Sequence, residues 1–597
     1  MKRLIVLAVA LSWVANFHAQ NDKRLRGVEK KLNQILEDEK MAGFSVAVVD
    51  KNGIIYTKGF GYRDYENKTP VDANTMFAIG STSKAFTSSL LGVLRKEGKL
   101  SFDDSPLDYI PGFSFYNDEM NSNIIIKDLM SHRTGLPRHD ASWYMFPTAS
   151  KDSMLIRVAQ HEPQTGVRQQ WIYNNFMFLA QGVIAEKVSG KSWEENLQQH
   201  IFSPLGMNRT NAVIEGLKSA SNNAFGYETK DDGSIKRLEY YDISGMGPAG
   251  SINSTANDMG KWLITWLNDG QYKGQEILPA DYVQEATSPQ AITTLPRNLF
   301  ANSKDIHLFT YGYGWLVSSY KGYYHVEHNG AIDGFTSHIS FFPDAGVGVA
   351  VLTNQNGSTA ATFIRNVLAD AILDTEKTDW VAELKAMTAK IKQATEMAQT
   401  ETDKVENTKP SHAIEDYTGT YAHPGYGKFD ITLNGDSLIA TLPIHKIQLK
   451  HHHYDIFEPF MIKDGESESL SPLFFNFYTD ESGDISKLKL ALEPALDPIE
   501  FKRTPFAGAV EKSDLEKLTG TYDLMGTKIR VFLNKAEKLI LSVTGQPEFE
   551  LIPVDKYNFS VKDLDGYKLE FVPTIDEDTV NEVKMIQPNG TFKAKRE

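Results

Sequence analysis

The sequence predicts the α/β fold class, an antiparallel sheet flanked by helices, followed by two small all-β barrel-like modules. Three observations carry this. Two hairpin patterns stand at opposite ends of a region with helical patterns between them, an amphipathic stretch follows, and the remainder contains an internal repeat.

The first hairpin is "GFSVAVVDKNGIIYTKGFGY" (43–62), two strand patterns around Asp50-Lys51-Asn52-Gly53. Asn52-Gly53 is expected to supply the positive φ angles of a tight turn. The second is "TSHISFFPDAGVGVAVLTN" (336–354), turning at Pro343-Asp344-Ala345-Gly346. "STAATFIRNVLADAIL" (358–373) spaces its apolar residues as a helix does. Strands at both ends of one region predict a sheet that joins them. "WVAELKAMTAKIKQATEMAQTETDK" (380–404) then reads as a helical connector, with "VENTKPSH" as a flexible boundary. Beyond it, "YTGTYAHPGYGKFDITL" from Tyr417 recurs as "LTGTYDLMGTKIRVFL" from Leu518, 101 residues later. The divisions expected are a signal peptide at 1–19, the α/β domain at 26–376, a helical linker at 377–410, and barrel-like modules at 411–505 and 511–597.

With 597 residues, 41% hydrophobic and 23% charged, the chain has the composition of a multidomain globular protein. Its formal net charge of −15 repels phosphate backbones, and no basic stripe or phosphate-binding glycine loop is present, so no nucleic-acid partner is expected. The absence of cysteine excludes disulfides and thiolate chemistry. Lys2 and Arg3 precede a short apolar run ending near Ala19, the pattern of a secretory signal peptide. The chain is therefore expected to be exported, periplasmic or secreted, with no membrane span in its mature form.

Chemistry is first suggested by "FAIGSTSKAF", where Ser81 and Lys84 stand three apart at the start of a helical pattern. The spacing recurs at Ser318/Lys321 and Ser486/Lys489, so it decides nothing alone. Only the first pair is followed by two further motifs in order. Tyr173 and Asn175 precede the helical segment "FMFLAQGVIAEKVSG", and His328-Asn329-Gly330 lies on the strand pattern that enters the second hairpin. A serine and a lysine one helical turn apart make a nucleophile with an amine to activate it, provided other groups supply proton transfer and an oxyanion hole.

These elements, with "IKDLMSHRTGLPRHD" (126–140) and "GPAGSINSTANDMGKWL" (247–263), resemble over residues 28–376 the serine hydrolases of the penicillin-recognising group: class C β-lactamases, D,D-carboxypeptidases, family VIII esterases and D-aminopeptidases. The resemblance implies a β-lactamase/transpeptidase-like domain with Ser81 as acyl carrier. It also implies that Lys84 and Tyr173 share acid/base work; which of the two is the base stays open at this point. Asn175 is implied to orient the substrate and Lys84, and the N–H groups of Ser81 and Ala331 to form the oxyanion hole beside Gly330. Where many such enzymes carry Lys-Thr-Gly, this chain has His328-Asn329-Gly330. A histidine is mostly neutral at pH 7, so carboxylate capture should weaken and neutral esters or amides gain. D-aminopeptidases have a similar His-x-Gly and also trail two β-barrel domains, and the C-terminal modules here are read as lipocalin-like.

The expectation is thus an exported serine hydrolase acting on an ester, a peptide (including one with D-residues) or a lactam, with a small-molecule, peptide or cell-wall-derived substrate and neither metal nor cofactor. The rival is a penicillin-binding-type sensor that acylates with little turnover. His132 and His139 are read as structural, His451–His453 as barrel-surface residues, and the aromatic run 311–325 as sheet packing.

Overall fold

A computed structural model describes residues 22–293, 308–400 and 404–597, apart from 464–465, 471, 494–495, 507–509, 563, 565–566, 575–578 and 588–589. The expected signal peptide lies outside the described residues. Two compact units divide the chain: residues up to Trp143 with Pro147–Ala398, and Tyr144–Phe146 with Gln399–Glu597.

The first unit is built on a nine-stranded sheet. Its strands are β1 (Gly43–Asp50), β2 (Gly53–Asp64), β3 (Thr69–Pro70), β4 (Ala291–Ile292), β5 (Phe309–Tyr311), β6 (Leu316–Tyr320), β7 (Tyr323–Ile332), β8 (Phe335–Phe342) and β9 (Val347–Thr353). They lie in the order β4-β5-β6-β7-β8-β9-β1-β2-β3. The antiparallel β1–β9 pairing, Phe44 opposite Thr353 and Asp50 opposite Val347, joins the two ends of the domain. β1 and β9 are apolar on both faces because helices cover both faces of the sheet. α1 (Val28–Asp38) and the long α5 (Ala360–Ile372) pack with one apolar cluster, which includes Leu32, Ile35, Val46, Val48 and Ile364. The other face carries the larger cluster, with α2 (Ser83–Lys96), α3 (Phe176–Ser189) and α4 (Ala256–Leu267). α3 is apolar almost all round and buried through Phe176–Ala185, as a helix enclosed by neighbours must be. α6 (Trp380–Thr400) follows.

The β1–β2 turn forms where expected but by another device. Neither Asn52 nor Gly53 has a positive φ. Instead the Asp50 carboxylate accepts the N–H groups of Asn52 at 2.7 Å and Gly53 at 3.0 Å, and a register shift at Val48/Val49 absorbs the difference. An aspartate that bonds the backbone two and three residues on shapes the turn without left-handed residues.

In the second unit the two repeats are eight-stranded barrels. The first runs from Gly419–His423 to Ile499–Thr504, closed by the pairing of Lys446–His453 with Ile456–Lys463, and carries the extra short strand Glu466–Ser469. The second runs from Gly520–Leu524 to Gly590–Arg596, which pair to close it. The repeated "TGTY" does the same work twice. Tyr421 donates its hydroxyl to Tyr417 O at 2.9 Å and Tyr522 to Leu518 O at 2.8 Å, tying each first strand to the turn before it. Arg503 and Arg596, in the last strands, donate to the carbonyls of Thr418 and Thr519. No helix among the described residues is long and apolar enough to cross a membrane.

Candidate active site

The short strand Phe77–Ala78, paired with Asn253–Ser254, delivers the chain into a 3₁₀ turn, Gly80–Thr82, and then into α2. Ser81 therefore sits in the turn before the helix, and Lys84 in the helix's first turn. Two glycines allow this turn to lie against β7. Gly80 has φ +51°, and a Cβ there would stand 2.6 Å from Ala331 N; a Cβ on Gly330 would stand 1.9 Å from Ile79 O. Hydroxyls fasten the contact. Ser337 on β8 donates to Ile79 O at 2.8 Å, and its Oγ lies 2.8 Å from Thr82 Oγ1. Ala331 remains exposed at the strand edge and Ser81 half-exposed.

Lys84 Nζ lies 3.0 Å from Ser81 Oγ and donates to Ala249 O at 2.8 Å. The lysine is fully buried, and its ammonium lies 4.8 Å from the Tyr173 ring centre and 5.4 Å from that of Phe178. Burial holds its pKa well below the lysine range; nearby Arg138 adds to the shift and Asp140 opposes it. Tyr173 shares a hydrogen bond with Ser81, but burial dominates and pushes the phenol well above its ordinary value. The two groups are thus pushed toward their neutral forms, an amine with a free lone pair and a phenol that keeps its proton.

The structure brings Ser81, Lys84 and Tyr173 together and places the other expected residues around them. Asn175 turns its amide to Asp140, donating to Oδ1 at 2.8 Å, while Arg138 bonds the same carboxylate and lies with its guanidinium 4.8 Å from the Tyr173 ring centre. His328 is buried behind the strand edge. Its Nδ1 donates to Asn329 O at 2.6 Å, so Nε2 is the acceptor for the Tyr311 hydroxyl at 3.0 Å. Burial pushes the imidazole well below its ordinary value.

Two residues expected to be structural, Tyr311 and His132, pack beside the site. Tyr311, buried in β5, supports His328 as just described. His132, at φ +58°, has its ring centre 4.4 Å from that of Tyr173 and 4.9 Å from that of Tyr311. Its Nδ1 accepts the Asn174 N–H at 3.1 Å, which puts the proton on Nε2. The sequence signal for it was the segment 126–140, whose function no spacing reveals. Among the described residues no cluster of three or more histidine or acidic side chains is placed to hold a metal.

Residues 28–373, more than half of the chain, match the family described as Beta-lactamase. The chain belongs to the beta-lactamase family. Residues 403–503 match DUF3471, a domain of unknown function. Among its relatives, the unguisins hydrolase ungD of Aspergillus violaceofuscus (strain CBS 115571) is 27% identical over 445 residues, 68% of this chain and 76% of that protein. Protein flp of Staphylococcus aureus (strain MW2) is 24% identical over 352 residues, 57% of this chain and 66% of that protein. Of solved structures, the octameric penicillin-binding protein homologue from Pyrococcus abyssi aligns with a TM-score of 0.54 at 20% identity, covering 80% of this chain and 99% of that one, a likeness of fold. The fold of this beta-lactamase-family chain is thus a β-lactamase/transpeptidase-like domain followed by two closed barrels.

Proposed function

We propose that this chain is an exported serine hydrolase that transfers an acyl group to water through Ser81. The observation that carries the reading is the contact between Ser81 Oγ and a buried Lys84 amine, 3.0 Å apart. Ser81 Oγ bonds the acyl carbon as its proton passes to Lys84. The negative oxygen of the tetrahedral intermediate takes the N–H groups of Ser81 and Ala331. Collapse breaks the bond to the leaving group, which receives a proton from the Lys84 ammonium by way of the Tyr173 hydroxyl. Water then repeats the sequence on the acyl-enzyme, regenerating Ser81. The direction of both pKa shifts favours Lys84 as base and Tyr173 as proton carrier.

The substrate is an ester, a peptide, including one with D-residues, or a lactam. A neutral His328 offers no charge to a carboxylate, and the relative from Aspergillus is itself named a hydrolase, of unguisins. The test is to offer the purified protein short-chain nitrophenyl esters, D-amino acid amides and a chromogenic cephalosporin. A burst followed by steady turnover, with labelling of Ser81 by a fluorophosphonate, is the expected result. One equivalent of product without turnover would make the protein a sensor, and labelling elsewhere would overturn the reading.

A further inference from the structure

Tyr173 is held from one residue on either side. Ile172 donates its N–H to the His132 carbonyl at 3.0 Å, and Asn174 donates its N–H to His132 Nδ1 at 3.1 Å. The tyrosine between them lays its ring against the imidazole, 4.4 Å between centres. One residue thus grips the segment by main chain, side chain and ring face. Farther out, Arg168 donates its N–H to Arg133 O at 2.8 Å and Asn174 Nδ2 donates to Pro137 O, so the same two segments stay in register beyond the grip.

His132 follows the short helix Ile126–Met130, whose Asp128 carbonyl takes the Arg133 N–H at 3.0 Å. The chain turns there through a φ of +58° at His132, which glycine adopts without strain and a side chain rarely does. A position that only turned the chain would favour glycine. Histidine here is also fully buried, and its Nε2 has no hydrogen-bond partner among the described residues, a further cost to stability. What the imidazole supplies against these costs is the acceptor for Asn174 and the face for Tyr173, and strain of this kind gathers at functional sites. The acceptor survives only while the ring is neutral, because a second proton makes both nitrogens donors. Burial keeps it so, holding the imidazole well below the histidine range.

We propose that His132 is the positioning residue for Tyr173, holding the phenol hydroxyl in line to pass a proton from Lys84 to the leaving group. The proposal rests on the Ser81 acyl-enzyme reading, with Tyr173 as proton carrier. In that step the Tyr173 O–H bond breaks as a bond from the proton to the leaving oxygen or nitrogen forms, and the phenol recovers a proton from the Lys84 ammonium. A phenol out of line slows this transfer rather than the attack by Ser81, whose proton goes directly to Lys84, 3.0 Å away.

The test compares two esters with one acyl half: p-nitrophenyl butyrate, whose phenolate departs without a proton, and ethyl butyrate, whose alkoxide does not. In His132→Gly the nitrophenyl-to-ethyl ratio of kcat/KM should rise by about 100-fold, the scale of a displaced general acid. His132→Asn tolerates the same φ and offers an oxygen to the Asn174 N–H, so the rise should shrink to about tenfold. Fluorophosphonate labelling should slow no more than nitrophenyl turnover does, since fluoride also departs without a proton. Tyr173→Phe should raise the same ratio, and adding His132→Asn to it should raise it no further, because His132 acts through the hydroxyl already removed. If both esters and labelling fall by one factor, His132 serves the fold alone. If the ratio still climbs in the Tyr173→Phe background, His132 acts by another path. Either result overturns the proposal. Should the variants not fold, a neutron structure of the wild type decides: a bare Nδ1 facing the Asn174 N–H supports the proposal, and a proton on Nδ1 overturns it. A wild type that neither labels at Ser81 nor cleaves either ester would sink the hydrolase reading and this role with it, a result distinct from an unaltered ratio in an active enzyme.

Discussion

An ordinary lysine is neutral in only about one molecule in 2,500 at pH 7, and a base that rare would leave Ser81 poorly activated. Burial changes the proportion for Lys84, because an ammonium loses its water there while an amine loses little. The base works when deprotonated, so kcat/KM should fall as pH drops through the lowered Lys84 pKa and be level above it. Tyr173 is pushed the other way, and no alkaline limb from its ionisation is expected below about pH 10. A pH profile whose acid limb begins only near the ordinary lysine value would refute the assignment. Lys84→Arg keeps its charge at every accessible pH and should cost about 100-fold or more in kcat/KM. Ser81→Ala should abolish fluorophosphonate labelling and leave the circular dichroism spectrum intact. The other two serines at the same spacing serve as controls. Ser318 is buried and bonded to His325 Nδ1 at 3.0 Å, and its Lys321 is paired with Asp370. Ser486 lies on the strand Ile485–Leu490, where residues three apart point to opposite faces. Alanine at Ser486 should change nothing, and at Ser318 should lower stability by about 1 kcal/mol without touching labelling.

β7 carries the site's edge on one face and a buried ionic cluster on the other. His328 and Gly330 look toward the Ser81 turn, while Glu327 accepts from His338 Nε2 at 2.9 Å and from Arg365 at 3.0 Å, with His325 at 3.6 Å. Burial pushes both His325 and His328 well below the ordinary histidine value, His325 to about 3 although Glu327 opposes the shift. Below about pH 6.5 the unfolded chain takes up protons that these two folded histidines refuse, so stability should fall from there toward pH 3 and be level with respect to them above pH 7. Thermal melts at pH 7.5 and 5.0 read this directly: a lower Tm at pH 5.0 is expected, and an equal one would show that the histidines protonate in place. Gly330→Ala tests the close approach of the same strand. Its Cβ would meet Ile79 O at 1.9 Å, so the Ser81 turn must move. Labelling should slow by tenfold or more and stability drop by about 1–3 kcal/mol. Wild-type labelling would mean the turn has room to give.

Across the whole molecule, the two apolar clusters on the faces of the nine-stranded sheet draw their members from residues 25–387 alone, and the last barrel has a cluster of its own. A chain ending at Lys404 should therefore remain soluble, unfold in one cooperative transition and keep Ser81 reactive toward the probe. Insoluble protein, with the full chain soluble, would show that the barrels complete the first unit. Soluble protein that labels but does not turn over substrate would assign the barrels a part in catalysis.

The sequence by itself determined what depends on neighbours along the chain. Hairpin positions at 43–62 and 336–354 follow from alternation and turn residues, the paired barrels from a repeat that places Tyr421 and Tyr522 in the same role, and the Ser81–Lys84 contact from one helical turn of spacing. Tertiary structure decided what depends on solvent and on distant partners. Periodicity marks Lys84 as helical but cannot say that Phe178 and Tyr173 exclude water from it and so set its proton. The same limit hid the contact of His132 with Tyr173, the turning of Asn175 toward Asp140 and the support of His328 by Tyr311. They join residues well apart in the chain, 17 positions between Tyr311 and His328 and 35 between Asp140 and Asn175. Desolvation and packing are properties of the assembled neighbourhood, and a single chain read in order contains the neighbours without their arrangement.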